Sequence, residues 1–193
     1  MENLKRIVQD SIALKTKVLN SPAMLELTLK VADEIVKCFK ADGKVLFCGN
    51  GGSAADAQHL AAEFSGRFYY DRAPLFSEAL HVNTSYVTAV ANDYSYDEIY
   101  ARLIQAKGRK GDILIGMSTS GNSGNVVKAC EQAKKQGMIV IAMTGETGGK
   151  MKDCCDYLMN IPSTDTPRIQ EVHMLLGHAI CEIVEAKMFP RGK

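Results

Sequence analysis

The sequence predicts an α/β protein in which helices cover both faces of a parallel β-sheet. Short, continuous apolar segments alternate along the chain with longer segments of helical periodicity. Two of the apolar segments end in turns rich in glycine, serine and asparagine, as is common where a strand passes into a helix. With 193 residues, 46% of them hydrophobic and 23% charged, the chain fits one globular domain over residues 1–193.

The first 41 residues predict a helical extension. Apolar residues recur at helical spacing through residues 4–39, with one break at 20–22. Asp42 and Gly43 then end the periodic pattern. Residues 44–188 carry the alternating elements of the predicted α/β core.

The core segment predicts five strands and five helices. The strands are expected at 44–48, 80–82, 112–117, 138–143 and 157–161. The helices are expected at 53–64, 84–91, 96–105, 123–136 and 167–188. Pro167 suits the first turn of the last helix, because backbone N–H groups in that turn have no partner within the helix and proline lacks this group.

Composition and charge limit the classes of partner that we expect for this chain. A formal net charge of +1 gives no electrostatic reason to expect nucleic acid or an anionic membrane as a partner. No apolar stretch approaches the roughly 18 residues that a membrane span needs, and residues 1–6 lead into an amphipathic pattern rather than a secretory signal.

The cysteines indicate a reducing compartment. The six cysteines lack the paired C-x-x-C spacing of a zinc or redox motif. Cys38, Cys48 and Cys181 lie in apolar segments, where a buried, reduced thiol is the expected state. We therefore expect a cytoplasmic protein.

Two strand-to-helix turns have the composition of anion-binding sites. They span 49–54 and 118–123, and both should lie at the carboxyl edge of the sheet, where α/β proteins bind ligands. Unpaired N–H groups and the positive end of the helix dipole favour an anion there. The second turn is the better phosphate site, because it offers four hydroxyl groups: those of Ser118, Thr119, Ser120 and Ser123.

Neither turn predicts a nucleotide site. The Gly-Lys-Ser/Thr of a Walker A loop is missing from both turns. The first turn formally matches G-x-G-x-x-A, which in a dinucleotide site is joined by an acidic residue at the end of the second strand, about 20 residues later. Asp71 has that spacing, but the residues around it have the composition of a loop. We expect no nucleotide cofactor.

Candidate proton-transfer groups lie on two helices. His59 and Glu63 are four residues apart and so share one face, a spacing that on its own is typical of a surface pair. Here the helix begins at the first ligand-binding turn. On the last helix, His173 and His178 are about 140° apart, whereas Gln170 and His178 are about 80° apart. Spacing alone does not choose between the histidines.

The segment FCGNGGSAADAQHLAAE at 47–63 strongly resembles bacterial phosphoheptose isomerases, which belong to the sugar isomerase (SIS) domain superfamily. Asn92-Asp93, the turn at 118–123 and the segment 168–173, with His178 beyond, extend the resemblance in the family's order. The resemblance implies a three-layer αβα sandwich with a five-stranded parallel sheet. It also implies a homotetramer with active sites between subunits.

The resemblance assigns roles to individual residues. It implies that Glu63 is the catalytic base and His178 the acid, which decides between the two histidines. It implies that sedoheptulose 7-phosphate is converted to D-glycero-D-manno-heptose 7-phosphate through an enediol, as the first step of ADP- or GDP-heptose biosynthesis for lipopolysaccharide or capsule. The implied substrate-binding residues are Asn50, Gly51, Gly52, Ser53, Glu63, Asn92, Asp93, Ser118, Thr119, Ser120, Ser123 and Gln170.

The resemblance further implies a zinc site. Its ligands would be His59, Glu63, Gln170 and His178. The set is unusual because glutamine is a poor ligand for zinc.

The sequence departs from the family pattern at one position and is compatible with two other functions. Some family members have an acidic residue before the Arg168 segment, where this chain has Thr166-Pro167, so a carboxylate contact must come from Asp165 or be absent. One rival is a non-catalytic SIS-fold tetramer that binds the DnaA replication initiator, and the presence of both Glu63 and His178 speaks against it. The other is an isomerase for six-carbon sugar phosphates.

Overall fold

The computed structural model describes residues 1–191, so the last two residues of the predicted domain, 192–193, lie outside the described residues. The helices are α1 (Glu2–Leu19), α2 (Pro22–Lys40), α3 (Gly52–Ser65), α4 (Thr84–Asp93), α5 (Ile99–Lys107), α6 (Gly124–Lys135) and α7 (Thr166–Met188). The strands are β1 (Val45–Gly49), β2 (Ser77–Ala79), β3 (Ile113–Ser118), β4 (Ile139–Thr144) and β5 (Tyr157–Asn160).

The five strands form one parallel sheet in the order β2-β1-β3-β4-β5. β1 and β3 are direct neighbours, and Gly49 at the end of β1 is in register with Met117 near the end of β3. The turns that follow these two strands therefore lie side by side at the carboxyl edge of the sheet, as the sequence predicts.

Helices cover both faces of the sheet. Because side chains alternate along a strand, Phe47 and Ile115 point into a core closed by α1, α2, α3 and α7. Leu46 and Leu114 point into a second core closed by α4, α5 and α6. The predicted three-layer αβα architecture with a helical N-terminal extension is thus confirmed.

The second strand was predicted in the wrong place. It spans Ser77–Ala79 rather than 80–82. The strand is short, lies at the sheet edge and carries Glu78, whose carboxylate pairs with Lys107 Nζ at 2.6 Å. Leu80 is buried but belongs to the turn that follows, so its apolar character marks the core and not the strand.

Two helix boundaries also differ from the expectation. Asn92 and Asp93 are the last residues of α4 and do not separate two helices. The following helix begins with a 3-10 turn at Tyr96–Glu98 before α5.

All six cysteines are free thiols, and Cys38, Cys48 and Cys181 are buried, as predicted. Burial raises the pKa of both Cys38 and Cys48 to about 12, which keeps these thiols protonated and unreactive. Among residues 1–191, every helix is too short or too polar to span a bilayer.

His173 of α7 predicts a pH-dependent stability. Its ring is fully buried, and Nε2 donates to the carbonyl oxygen of Thr144 at 3.1 Å. Burial lowers the pKa of His173 to about 4. The unfolded chain, whose histidine titrates near its ordinary value, therefore binds a proton between about pH 6.5 and 4 that the folded protein does not.

We therefore expect the folded state to lose up to roughly 3 kcal/mol as the pH falls through this window because of His173. Urea unfolding at pH 7 and pH 4.5 should show a smaller acid-side loss for His173→Asn than for the wild type, whatever the absolute stability of the variant. His59→Gln, which changes an exposed histidine, serves as the control. Equal losses in the wild type and His173→Asn would contradict this expectation.

Candidate active site

The turns after β1 and β3 and the first turns of α7 enclose a cleft of about 320 Å³. It is lined by Asn50, Gly52, Ser53, Met117, Ser118, Thr119, Ser120, Ser123, Thr166 and Gln170. Most of the substrate-binding residues expected from the sequence are thus brought together around one space.

The hydroxyl groups of the second turn form a connected cluster. Ser118 Oγ lies 2.9 Å from Ser123 Oγ and 3.4 Å from Ser120 Oγ. Ser123 precedes the first residue of α6, and its side chain makes no capping hydrogen bond to that helix. Hydroxyl groups and the free N–H groups of the first helical turn are the donors that a phosphate group accepts.

Gln170 of α7 closes the cleft from the opposite side. Its Nε2 donates to Ser53 Oγ at 3.3 Å. Gly52 makes this approach feasible, since a Cβ atom there would lie 2.7 Å from Gln170 Nε2. Gly51, the residue before, has a φ of +54°, which favours glycine.

The amide group of Asn50 ties the two turns together. It exchanges two hydrogen bonds with the amide of Asn125, at 2.8 and 2.9 Å, and its Oδ1 accepts a third from Tyr96 at 3.1 Å. Asn125 is buried in the first turn of α6. The contact of Asn125 with Asn50 was not predicted from the sequence, because nothing in the local pattern indicates a partner 75 residues away.

Asn92 and Asp93 are not part of this cleft. They lie at the exposed end of α4, where Asn92 Nδ2 donates to Asp93 Oδ1 at 3.0 Å, and neither is among the described residues that line the cleft. Thr166, where the sequence departs from some family members, does line the cleft. Its hydroxyl lies 3.4 Å from that of Thr119. A hydroxyl from the departing dipeptide Thr166-Pro167 therefore lies in the cleft, whereas Pro167, immediately before Arg168, does not line it.

The three titratable groups expected from the sequence converge. His59 Nε2 lies 3.0 Å from Glu63 Oε1 and 2.9 Å from His178 Nε2. A nitrogen or oxygen atom of each residue lies within 4.8 Å of the other two. His173, in contrast, is buried in the core, so the structure places His178 at this cluster.

Close packing of α3 against α7 explains the convergence. Gly177, next to His178, faces Leu60, and a Cβ atom at Gly177 would lie 2.6 Å from the Leu60 side chain. Glycine thus lets α7 approach the face of α3 that carries His59. His59 is six residues from Ser53, or about 9 Å along the helix axis, so α3 connects the cluster to the cleft.

The cluster has the composition of a zinc site. Two imidazole nitrogens and a carboxylate oxygen are ligands that Zn²⁺ prefers. Ligand atoms of a tetrahedral zinc ion lie about 3.3 Å apart, close to the separations of 3.0 and 2.9 Å found here. His59, Glu63 and His178 therefore fit the ion, whereas Gln170 directs its amide nitrogen to Ser53.

Known proteins with the same fold and sequence pattern place the chain in a family. The SIS domain family matches residues 4–145. The chain is 48% identical to phosphoheptose isomerase 2 of Campylobacter jejuni over 196 aligned positions, which cover 100% of this chain and 98% of that protein. It is 49% identical to the phosphoheptose isomerase of Mycobacterium tuberculosis over 185 positions, covering 96% and 94%.

A solved structure agrees with these sequence relatives. The phosphoheptose isomerase of Neisseria gonorrhoeae is similar with a TM-score of 0.90 and 42% identity, over 96% of this chain and 98% of that one. The chain therefore belongs to the phosphoheptose isomerase family of SIS-domain sugar-phosphate isomerases.

Proposed function

We propose that this protein converts sedoheptulose 7-phosphate to D-glycero-D-manno-heptose 7-phosphate by moving a proton between C1 and C2. The observation that carries the proposal is that Glu63 of α3 and His178 of α7 converge. The helix α3 begins at the hydroxyl-rich cleft. The names of the relatives support a phosphorylated heptose as the substrate.

The proposed reaction needs one base and one acid. Glu63 removes a proton from C1 of the ketose while His178 donates a proton to the carbonyl oxygen at C2, which produces a cis-enediol. Glu63 then returns its proton to C2, and His178 takes the proton of the hydroxyl at C1, so that the aldehyde forms. Each group ends the cycle in its starting protonation state.

The cleft contributes orientation. We assign the phosphate to the turn of Ser118, Ser120 and Ser123, because their clustered hydroxyls and the adjacent start of α6 suit an anion. A phosphate held there is remote from the reacting carbons and fixes the sugar relative to Glu63. Asn50, Gly51, Gly52, Ser53, Thr119 and Gln170 complete the proposed contacts, and Asn92 and Asp93 remain assigned by resemblance alone.

We propose one zinc ion per subunit, held by His59, Glu63 and His178. Gln170 is assigned as a fourth ligand by resemblance alone, because its amide nitrogen contacts Ser53. When bound, zinc would supply a Lewis acid that polarises oxygen atoms of the sugar, and Glu63 and His178 would have to leave the ion to act as base and acid. His59 also contacts both Glu63 and His178 directly, so it orients the base and the acid.

We also propose that the protein acts as a homotetramer. Leu4, Val8 and Ile12 form a stripe at helical spacing along α1, and their exposed fractions are 61%, 48% and 58%. A contiguous apolar surface of this kind commonly marks a protein–protein contact. The stripe is the proposed contact between subunits, with active sites near the interfaces as in the resemblance.

The place of the reaction in the cell is part of the proposal. The aldose product would enter ADP- or GDP-heptose synthesis for lipopolysaccharide or capsule. Six free thiols, four of them buried, suit the reducing cytoplasm.

Replacing the base tests the proposed chemistry. Glu63→Gln removes the proton acceptor but keeps the side-chain shape, so we expect kcat for sedoheptulose 7-phosphate to fall about 10²- to 10⁴-fold. Inhibition by inorganic phosphate should stay close to wild type, since the serine turn is unchanged. Glu131→Gln, on the exposed surface of α6, is the matched control. Turnover at the wild-type rate by Glu63→Gln would exclude Glu63 as the base.

Metal content tests the zinc proposal separately from activity. After equilibration with zinc and dialysis, elemental analysis should find about one ion per wild-type subunit. His59→Ala should lose most of that zinc because a ligand is missing, whereas Gln58→Ala, at an exposed neighbouring position on α3, should retain it. A wild-type protein that retains no zinc, or a His59→Ala variant that binds as much as wild type, would refute the site.

Light scattering on a size-exclusion column tests the assembly. The wild type should have the mass of four chains, and Val8→Lys should have a lower mass because a charge is buried at the contact. Circular dichroism should show unchanged helix content. Arg6→Ala, at an exposed position on the opposite face of α1, is the control, and a monomeric wild type would rule out the tetramer.

A further inference from the structure

We propose that the buried ion pair between Arg72 and Glu185 positions the catalytic pair, by fixing α3, which carries Glu63, against α7, which carries His178. The proposal rests on the assignment of Glu63 and His178 as base and acid. Both Arg72 and Glu185 are positioning residues, since neither belongs to the cleft or to the histidine–glutamate cluster.

Arg72 holds the carboxyl end of α3. Its Nη2 donates to the backbone carbonyl oxygen of Glu63 at 2.7 Å, and its Nη1 donates to that of Phe64 at 2.7 Å and that of Gly66 at 2.9 Å. The last carbonyl groups of a helix have no partners within the helix and carry its negative dipole end. The guanidinium group satisfies them and so fixes the backbone of the proposed base itself.

Glu185 holds the same guanidinium group from α7. Its Oε1 accepts a hydrogen bond from Arg72 Nε at 3.0 Å, and each of the two side chains is only 2% exposed. Glu185 lies seven residues after His178, or about two helical turns, so both project from nearly the same face of α7. The ion pair therefore links the carboxyl end of α3 to α7, about two turns from His178.

The connecting loop adds a third link. The Glu185 carboxylate accepts hydrogen bonds from the backbone N–H groups of Phe68 and Tyr69, at 2.9 and 2.8 Å. The ring of Phe68 in turn packs on the His178 imidazole, with ring centres 5.8 Å apart. Glu185 thus also holds the aromatic ring that limits the orientation of His178.

The donors around Glu185 are strong enough to keep it charged. Burial by itself raises the pKa of the Glu185 carboxyl, but the hydrogen bonds from Phe68, Tyr69 and Arg72 outweigh burial and hold the pKa below its ordinary value. A buried ion pair is not an efficient source of stability, because two charges must be desolvated. Its planar, multiply bonded geometry is better suited to fixing a distance and an angle.

A second carboxylate of this chain provides a matched control. Asp112 also accepts hydrogen bonds from two backbone N–H groups, those of Lys44 and Arg109, and also pairs with a largely buried cation, Lys44 Nζ. It lies just before β3, at the edge of the sheet opposite the cleft. Asp112→Asn and Glu185→Gln therefore remove the same kind of interaction, but only Glu185→Gln removes one that joins α3 to α7.

The experiment compares Arg72→Lys, Glu185→Gln and Asp112→Asn at a temperature at which circular dichroism shows each protein folded. We expect Arg72→Lys and Glu185→Gln to lower kcat for sedoheptulose 7-phosphate about tenfold or more, with KM and phosphate inhibition little changed. Asp112→Asn should lower the melting temperature to a similar extent and leave kcat within about twofold of wild type. Equal kcat in wild type and Glu185→Gln, or an equal fall in Asp112→Asn, would overturn the proposal.

Two further measurements keep the test decisive. If both ion-pair variants fail to fold, Glu185→Asp decides: it keeps the charge but withdraws the carboxylate by one methylene group, and a kcat equal to wild type would overturn the proposal. The NMR signals of the His178 ring should shift in Glu185→Gln and stay in place in Asp112→Asn, and the reverse would overturn it. Because this readout needs no turnover, a wild type inactive on sedoheptulose 7-phosphate would refute the proposed substrate without deciding the positioning role.

Discussion

The close contact between α3 and α7 is the constraint on which the candidate site depends. Each helix alone carries ordinary surface groups, and only their approach brings the His178 imidazole within 2.9 Å of His59. Gly177 permits that approach, because any side chain there would collide with Leu60. Beyond the last turn of α3, the buried contact of Arg72 with Glu185 joins the same two helices, so the spacing is set at two separate points.

The order of the strands is the second constraint, because it determines where the candidate ligand-binding turns lie. Since β1 and β3 are neighbours, their turns meet at one edge, and the amides of Asn50 and Asn125 hold them together. The described residues lining the cleft include no lysine or arginine. The anion binding proposed there would therefore depend on hydroxyl groups, backbone N–H groups and the start of α6.

The sequence predicted those features that depend on local pattern. Apolar segments such as 112–117 and the glycine- and serine-rich turns identified the fold class and the cleft, because strands buried on both faces and strand-to-helix turns have distinctive compositions. The strand Ser77–Ala79 was misplaced because an edge strand with one charged residue lacks such a pattern. Contacts between distant segments, such as Asn50 with Asn125, and the burial of His173 depend on tertiary packing that no local spacing encodes.

We propose that a carboxylate and an imidazole from these two helices move a proton between adjacent carbons of a heptose phosphate. Proton NMR of sedoheptulose 7-phosphate incubated with the protein would detect this proton transfer. We expect the anomeric signal of an aldose to grow with time, and C1-deuterated substrate to transfer its label to C2 or lose it to water. Folded protein that produces no aldose signal would contradict the claim.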